Sequence, residues 1–145
     1  AASDVYKRQN EVLEKSVEKV NGLAVTDNIR ICLSQSEDCR ILMDRDKLVQ
    51  ALINILGNCI RYARSEITVA SIHKGQFVEI RINDDGEGFA KEDMENIFKR
   101  FYKGKKGSTG LGLAITKAII EKHRGTISAS NGSNGGAEFK ILLPK

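Results

Sequence analysis

The sequence predicts a two-layer α/β sandwich, in which a mixed and mostly antiparallel sheet carries helices on one face. Three observations lead there: three segments place apolar residues at helical spacing, several others alternate apolar with polar, and the alternating segments keep a polar side for water. A chain of 145 residues with one Pro, 41% hydrophobic and 29% charged residues fits one domain with its own core, and argues against disorder.

The elements follow in order. From Asn10 to Leu23, Val12, Leu13, Val17 and Val20 recur at helical spacing among Glu and Lys, which predicts an amphipathic helix. NIRICLS then sets Ile29, Ile31 and Leu33 against Arg30, Cys32 and Ser34, the period of a strand with one buried face. A short strand, RILM, follows. In DRDKLVQALINILGNCIRYAR, Asp44 or Asp46 can cap a helix on which Leu48, Leu52, Leu56, Cys59 and Ala63 share a core face. EITVASIH and QFVEIRIND form a hairpin turning at Lys74 and Gly75. KEDMENIFKRF is a short helical piece, LGLAITKAIIEKH a third long helix, and GTISAS and AEFKILLP the closing strands. The first nine residues, AASDVYKRQ, have no pattern linking them to the rest. Residues 1–9 are therefore expected to be a scar or a disordered leader, and residues 10–145 the domain.

Charge and cysteines narrow the classes. The net charge of +4 suits a nucleic-acid surface or any site that attracts a polyanion such as a nucleotide. Cys32, Cys39 and Cys59 are odd in number and lack the close pairs of zinc sites, so reduced thiols in a cytoplasmic setting are expected. No apolar run approaches the roughly 18 residues of a membrane span, so a soluble piece is expected. His73 and His123 read as structural, the latter at a helix end where positive charge suits the dipole.

Three stretches carry chemistry. In NILGNCIRYA, Asn54, Asn58, Arg61 and Tyr62 gather on the side of the helix opposite Leu48, Leu52 and Leu56. A solvated face is one reading, but Asn costs roughly 0.5 kcal/mol relative to Ala in a helix, and an ordinary surface favours Lys, Glu or Gln. In NDDGEGF, Asp84 and Asp85 end a strand that breaks at Gly86 and Gly88. A plain Asp-Gly turn is one reading; however, the stretch leads to a helix and a basic loop, not a partner strand. An ionised Asp only accepts hydrogen bonds, which suits the exocyclic amine of adenine and rejects the carbonyl of guanine. In KGKKGSTGLGLAI, Gly104, Gly107, Gly110 and Gly112 surround a helix start capped by Ser108 or Thr109. It is neither a Walker A loop nor a GxGxxG fingerprint. Free N–H groups, the helix dipole and Lys103, Lys105 and Lys106 still favour phosphate, where the alternative is a flexible surface loop.

Together these stretches resemble the Bergerat, or GHKL, ATP-binding fold, and most closely the catalytic and ATP-binding domain of bacterial sensor histidine kinases. NILGNCIRYA resembles the N box, DDGEGF the first glycine box, NIFKRFYKG the F box and TGLGLAI the second glycine box, across Asn10 to Lys145. The resemblance implies ATP and Mg²⁺ as cofactors. Asn58 would coordinate the metal, Asn54 would line the same site, Arg61 would meet phosphate and Tyr62 would pack on adenine or ribose. Asp84 would take the adenine amine, with Gly86 and Gly88 shaping the wall. Phe98 and Phe101 would anchor a lid, Arg100 would reach the γ-phosphate, and Lys103, Thr109, Gly110, Leu111 and Gly112 would surround the triphosphate.

The same resemblance implies transfer of the γ-phosphate to a histidine on a dimerisation and phosphotransfer domain that this chain lacks, and from there to a response regulator. No nucleic acid or membrane is an expected partner of the domain itself, although the parent protein is expected to be anchored in the bacterial cell membrane. In hydrolysing relatives a Glu stands at the position of Asn54; an amide is no general base, which favours transfer over hydrolysis. A glycine is often found where Asn134 stands. The alternatives are a serine kinase of the anti-sigma type or an ATPase on the same fold, an ATP-sensing binding module, and a basic nucleic-acid-binding domain. Against the last, the strands expose Arg, Glu and Lys where RNA-binding sheets expose aromatics.

Overall fold

The computed structural model describes residues 5–35, 38–102 and 112–145. Its elements are β1 (Val5–Arg8), α1 (Gln9–Thr26), β2 (Arg30–Gln35), β3 (Arg40–Met43), α2 (Arg45–Tyr62), β4 (Glu66–Lys74), β5 (Phe77–Asp84), α3 (Lys91–Asn96), α4 (Gly112–Lys122), β6 (Thr126–Asn131) and β7 (Ala137–Pro144). The main sheet has the order β2-β4-β5-β7-β6; β2 and β4 run parallel and the other neighbours antiparallel. α1 packs over β2, α2 over β5 and α4 over β6, with α2 in contact with both α1 and α4. The predicted sandwich is therefore the observed one.

Alternation explains which side is covered. β7 reads Ala137, Phe139, Ile141 and Leu143 inward, all buried, and Glu138, Lys140 and Leu142 outward. Ile67 and Val69 of β4 and Val78, Ile80 and Ile82 of β5 complete the sheet's share of the core. Each such fully buried side chain contributes about 1.5 to 3 kcal/mol over leaving it in water. The β4–β5 hairpin pairs Lys74 with Phe77 around a two-residue turn in which Gly75 has φ +60°. That is the left-handed geometry a tight hairpin requires.

Two boundaries differ from expectation, and one side chain makes contacts that were not predicted. Val5–Arg8 is ordered as β1 and pairs antiparallel with β3 in a separate two-stranded sheet, so residues 5–9 are not a disordered leader; Gln9 already opens α1 and is buried. Only Lys91–Asn96 of KEDMENIFKRF is helical, because Ile97 turns into the core and Phe98 packs edge-on against Phe139. His123 bridges α4 to the cap of α2: the Asp44 N–H donates to Nε2 at 3.0 Å, while Nδ1 lies 2.8 Å from the Ile119 carbonyl. It is structural, as expected.

Candidate functional site

α2 carries the first part of the site. Asp44 is its cap, accepting from the Lys47 N–H at 3.3 Å. Leu48, Leu52 and Leu56 are buried as their spacing requires, and so are Val49, Ala51, Ile55, Cys59 and Ile60, because the helix is flanked by α1 and α4 as well as backed by the sheet. The polar stripe is thus only partly solvated: Asn58 is 7% exposed, Asn54 and Tyr62 are half-buried and Arg61 is exposed. The Asn54 amide donates to the Gly112 carbonyl at 3.1 Å, and Thr116 Oγ1 donates to the same oxygen at 2.9 Å, tying the first turn of α4 to α2. Asn54, Asn58 and Arg61 then line one cavity of about 240 Å³ with Gly112, Leu113, Ile97 and Tyr102. The cavity is open to the N-terminal end of α4, where backbone N–H groups and the dipole favour an anion.

Asp84 ends β5 and is 1% exposed. Its Oδ1 accepts from the Gly86 N–H at 2.9 Å and the Ala137 N–H at 3.1 Å, whereas Oδ2 is buried without a partner among the described residues. Burial pushes its carboxyl above the usual range, the two N–H groups oppose that rise, and the neighbouring charge of Asp85 adds to it. Burial, and then the charge of Asp84, pushes the Cys59 thiol well up, which makes this cysteine an inert part of the floor. An orphaned buried acceptor is costly unless a donor completes it. An aromatic amine supplies one.

The loop after β5 is built to closest approach. A Cβ on Gly86 would lie 2.3 Å from the Tyr62 carbonyl oxygen, and one on Gly88, where φ is +82°, would lie 2.4 Å from the Gly135 carbonyl oxygen. Tyr62 and Gly88 line a second cavity of about 20 Å³ with Glu87, Phe89, Asp93, Ile97 and Ala137. That holds about one water. Asp93 of this lining accepts a hydrogen bond from the Tyr102 hydroxyl. That bond first, then burial, pushes the phenol up to about 12.

Not every expected residue meets the others. Phe98 and Phe89 pack edge-on against Phe139, at 6.2 and 5.6 Å between ring centres, so Phe98 anchors the segment through the core. Phe101 does not: it is 66% exposed, in left-handed backbone, with the Arg100 guanidinium 5.5 Å from its ring centre. Lys103, Thr109, Gly110 and Leu111, with the rest of 103–111, lie outside the described residues.

The contacts of three side chains were not foreseen. Asn131 clasps the backbone of Phe89, accepting from its N–H at 2.7 Å and donating to its carbonyl at 3.1 Å. Asn134 donates to the Asp84 carbonyl at 3.3 Å, which gives this asparagine a use at a position often held by glycine. Asp85 binds the connection between α2 and β4. The density of Asn in NGSNGG and the doubled Asp were the available signals; their partners, many residues away, were not readable.

Residues 43–145 match the family described as Histidine kinase-, DNA gyrase B-, and HSP90-like ATPase. A relative, the sensor-like histidine kinase SenX3 of Mycobacterium tuberculosis, is 32% identical over 141 residues, covering 92% of this chain and 34% of its own length. The chain therefore spans about a third of this curated relative. Among solved structures, a nucleotide-free form of the catalytic domain of histidine kinase ThkA superposes with a TM-score of 0.85 at 28% identity, covering 97% of this chain and 98% of that one. Full-length ShkA in complex with AMPPNP gives 0.87 at 26% identity, covering 98% of this chain and 31% of that one.

Proposed function

This chain belongs to the histidine kinase-, DNA gyrase B- and HSP90-like ATPase family, and from that premise we propose that it binds Mg²⁺ and ATP at the site between α2, β5 and α4 and donates the γ-phosphate to a histidine on another domain of a sensor kinase. The observation that carries this reading is the buried, half-satisfied carboxylate of Asp84. The adenine amine would donate to Oδ2, whereas the guanine carbonyl, itself an acceptor, would meet a second acceptor with no proton between them. The complex of the related ShkA with AMPPNP supports an adenine nucleotide as ligand.

The residues present fit a magnesium ion shared with phosphate. Asn58 offers one neutral amide oxygen in the cavity of about 240 Å³, and among the described residues no group of three His, Cys, Asp or Glu gathers to cage a metal. Mg²⁺ is commonly held this way, by few protein ligands with water and substrate phosphates. When bound, the ion neutralises phosphate charge. Asn58 would hold it, and Arg61, the α4 N-terminus and Lys103 would bind the phosphates. Asn54, an amide already engaged with Gly112, would position α4 against α2 and would not activate water. Catalysis in such a site is mainly orientation and charge neutralisation. The acceptor histidine, the response regulator downstream, and membrane anchoring of the parent complete the reading; among the described residues no helix is long and apolar enough to cross a membrane.

A titration of this chain with ATP and GTP, each with and without Mg²⁺, tests it. Saturable binding that prefers ATP and tightens with Mg²⁺ is expected; no binding at millimolar ATP by folded protein overturns it. Asn58→Ala should remove the tightening by Mg²⁺, on the order of tenfold, while sparing metal-free affinity. Equal losses with and without metal would remove Asn58 as the ligand.

A further inference from the structure

Asp85 has no part in the reading above, yet its carboxylate accepts more hydrogen bonds than that of Asp84. Oδ1 accepts from the N–H groups of Arg64 at 2.8 Å and Ser65 at 3.0 Å; Oδ2 accepts from the Ser65 N–H at 3.2 Å, the Ser65 hydroxyl at 2.7 Å and the Glu66 N–H at 3.1 Å. Burial alone would raise its carboxyl, but this array, led by Ser65, holds it at about 2. The bonds gather the few residues between the end of α2 at Tyr62 and the start of β4 at Glu66. At the same place the Tyr62 carbonyl comes so near Gly86 that no side chain fits between them. One residue before Asp85 stands Asp84; one turn and more before Tyr62 stands Asn58. The doubled Asp therefore splits its work.

Resting on the ATP-site reading, we propose that Asp85 is a positioning residue for nucleotide recognition: it fastens the connection that leaves α2 to the end of β5, and so sets the distance between the adenine-reading carboxylate of Asp84 and the phosphate end at Asn58 and Arg61. A nucleotide spans both ends at once, and affinity depends on how far those ends are already in place before it arrives. Asp85 touches neither base nor phosphate in this scheme. It acts through Asp84 and through α2.

The test uses the whole chain with ATP and GTP titrations and thermal melts of wild type, Asp85→Asn, Ser65→Ala and, as a control, Leu143→Ala, a buried residue of β7. An amide at position 85 turns an NH₂ toward a set of donors and opens the fastening. Asp85→Asn is expected to lower ATP affinity by about tenfold or more and to pull the ATP-to-GTP preference toward one. Ser65→Ala, which removes one of the bonds, should shift the preference the same way by less. Leu143→Ala should lower the melting temperature and leave the preference alone. An unchanged preference in Asp85→Asn, or a change matched by Leu143→Ala, overturns the positioning role. If Asp85→Asn does not fold, Ser65→Ala decides by the same criterion. Wild type that binds neither nucleotide overturns the ATP-site reading itself, whereas wild type that binds ATP with both site variants unchanged overturns only the role of Asp85.

Discussion

Asp84→Asn is expected to cut ATP affinity by about a hundredfold or more while the nucleotide-free protein melts at the same temperature or higher. The geometry makes the direction specific. Oδ1 receives two backbone N–H groups, from Gly86 and Ala137, so the amide oxygen of an asparagine must take that place. Its NH₂ then occupies the position of Oδ2, and the adenine amine meets a donor where it needs an acceptor. Stability moves the other way, because a buried charge with an unpartnered oxygen is replaced by a neutral group. The check is a pair of melts: ATP should raise the melting temperature of wild type and not that of the variant. Wild-type affinity in the variant would remove Asp84 as the adenine acceptor, and a large fall in melting temperature would make it a structural residue.

Acid separates the two neighbouring carboxylates. The folded pKa of Asp84 is raised, so its contribution to stability is fully present below the ordinary value of 3.8 and is lost as pH rises through the folded value. Asp85 is held at about 2, so its contribution is present above 3.8 and is lost as pH falls through that lower value. Asp84→Asn should therefore gain on wild type as pH rises out of the acid range and show no gain below about pH 3, where wild-type Asp84 is itself protonated. A gain that persists unchanged at pH 3 would point away from the buried charge as its source.

The parts of this molecule that were legible in the sequence are those that local chemistry determines. Helical spacing of Leu48, Leu52 and Leu56 identified the buried side of α2, alternation identified the inward residues of β5 and β7, and Lys74–Gly75 identified the hairpin. Asp84 stood out because a strand that stops at Asp-Asp-Gly leads to no return strand, while its burial and its N–H partners at Gly86 and Ala137 come from the fold. Pairing was not readable: alternation says which face of a strand is buried but not which strand lies beside it, so the β1–β3 pair went unforeseen. Nor was the end of α3, which is decided by Phe139, some forty residues away, taking Phe98 into its ring cluster. The burial of Asn58 was hidden for a related reason. Helical spacing gives the angle of a residue around its axis, while the helices that flank α2, here α1 and α4, come from topology.

Gly86→Ala is expected to lose ATP binding and about 2 to 3 kcal/mol of stability together, in contrast to Asp84→Asn. The added methyl would stand 2.3 Å from the Tyr62 carbonyl oxygen and 3.2 Å from Asp84 Oδ1, and the first of these is backbone that cannot rotate away. Relief requires the end of α2 and the loop after β5 to separate. That separation pulls on the Gly86 N–H that holds Asp84 and on the Arg64–Glu66 backbone that Asp85 gathers, so binding and stability fail through one displacement. A fall in melting temperature of about 10 °C is the corresponding shift for a chain of this size. Circular dichroism with ATP titration on the folded variant separates the outcomes. A variant that melts like wild type would mean that α2 and the loop adjust without strain; a destabilised variant with undiminished ATP affinity would place the nucleotide away from this contact. Gly112→Ala is the internal comparison, since a methyl there meets Asn54 at 3.7 Å, an ordinary van der Waals distance, and exerts no such push.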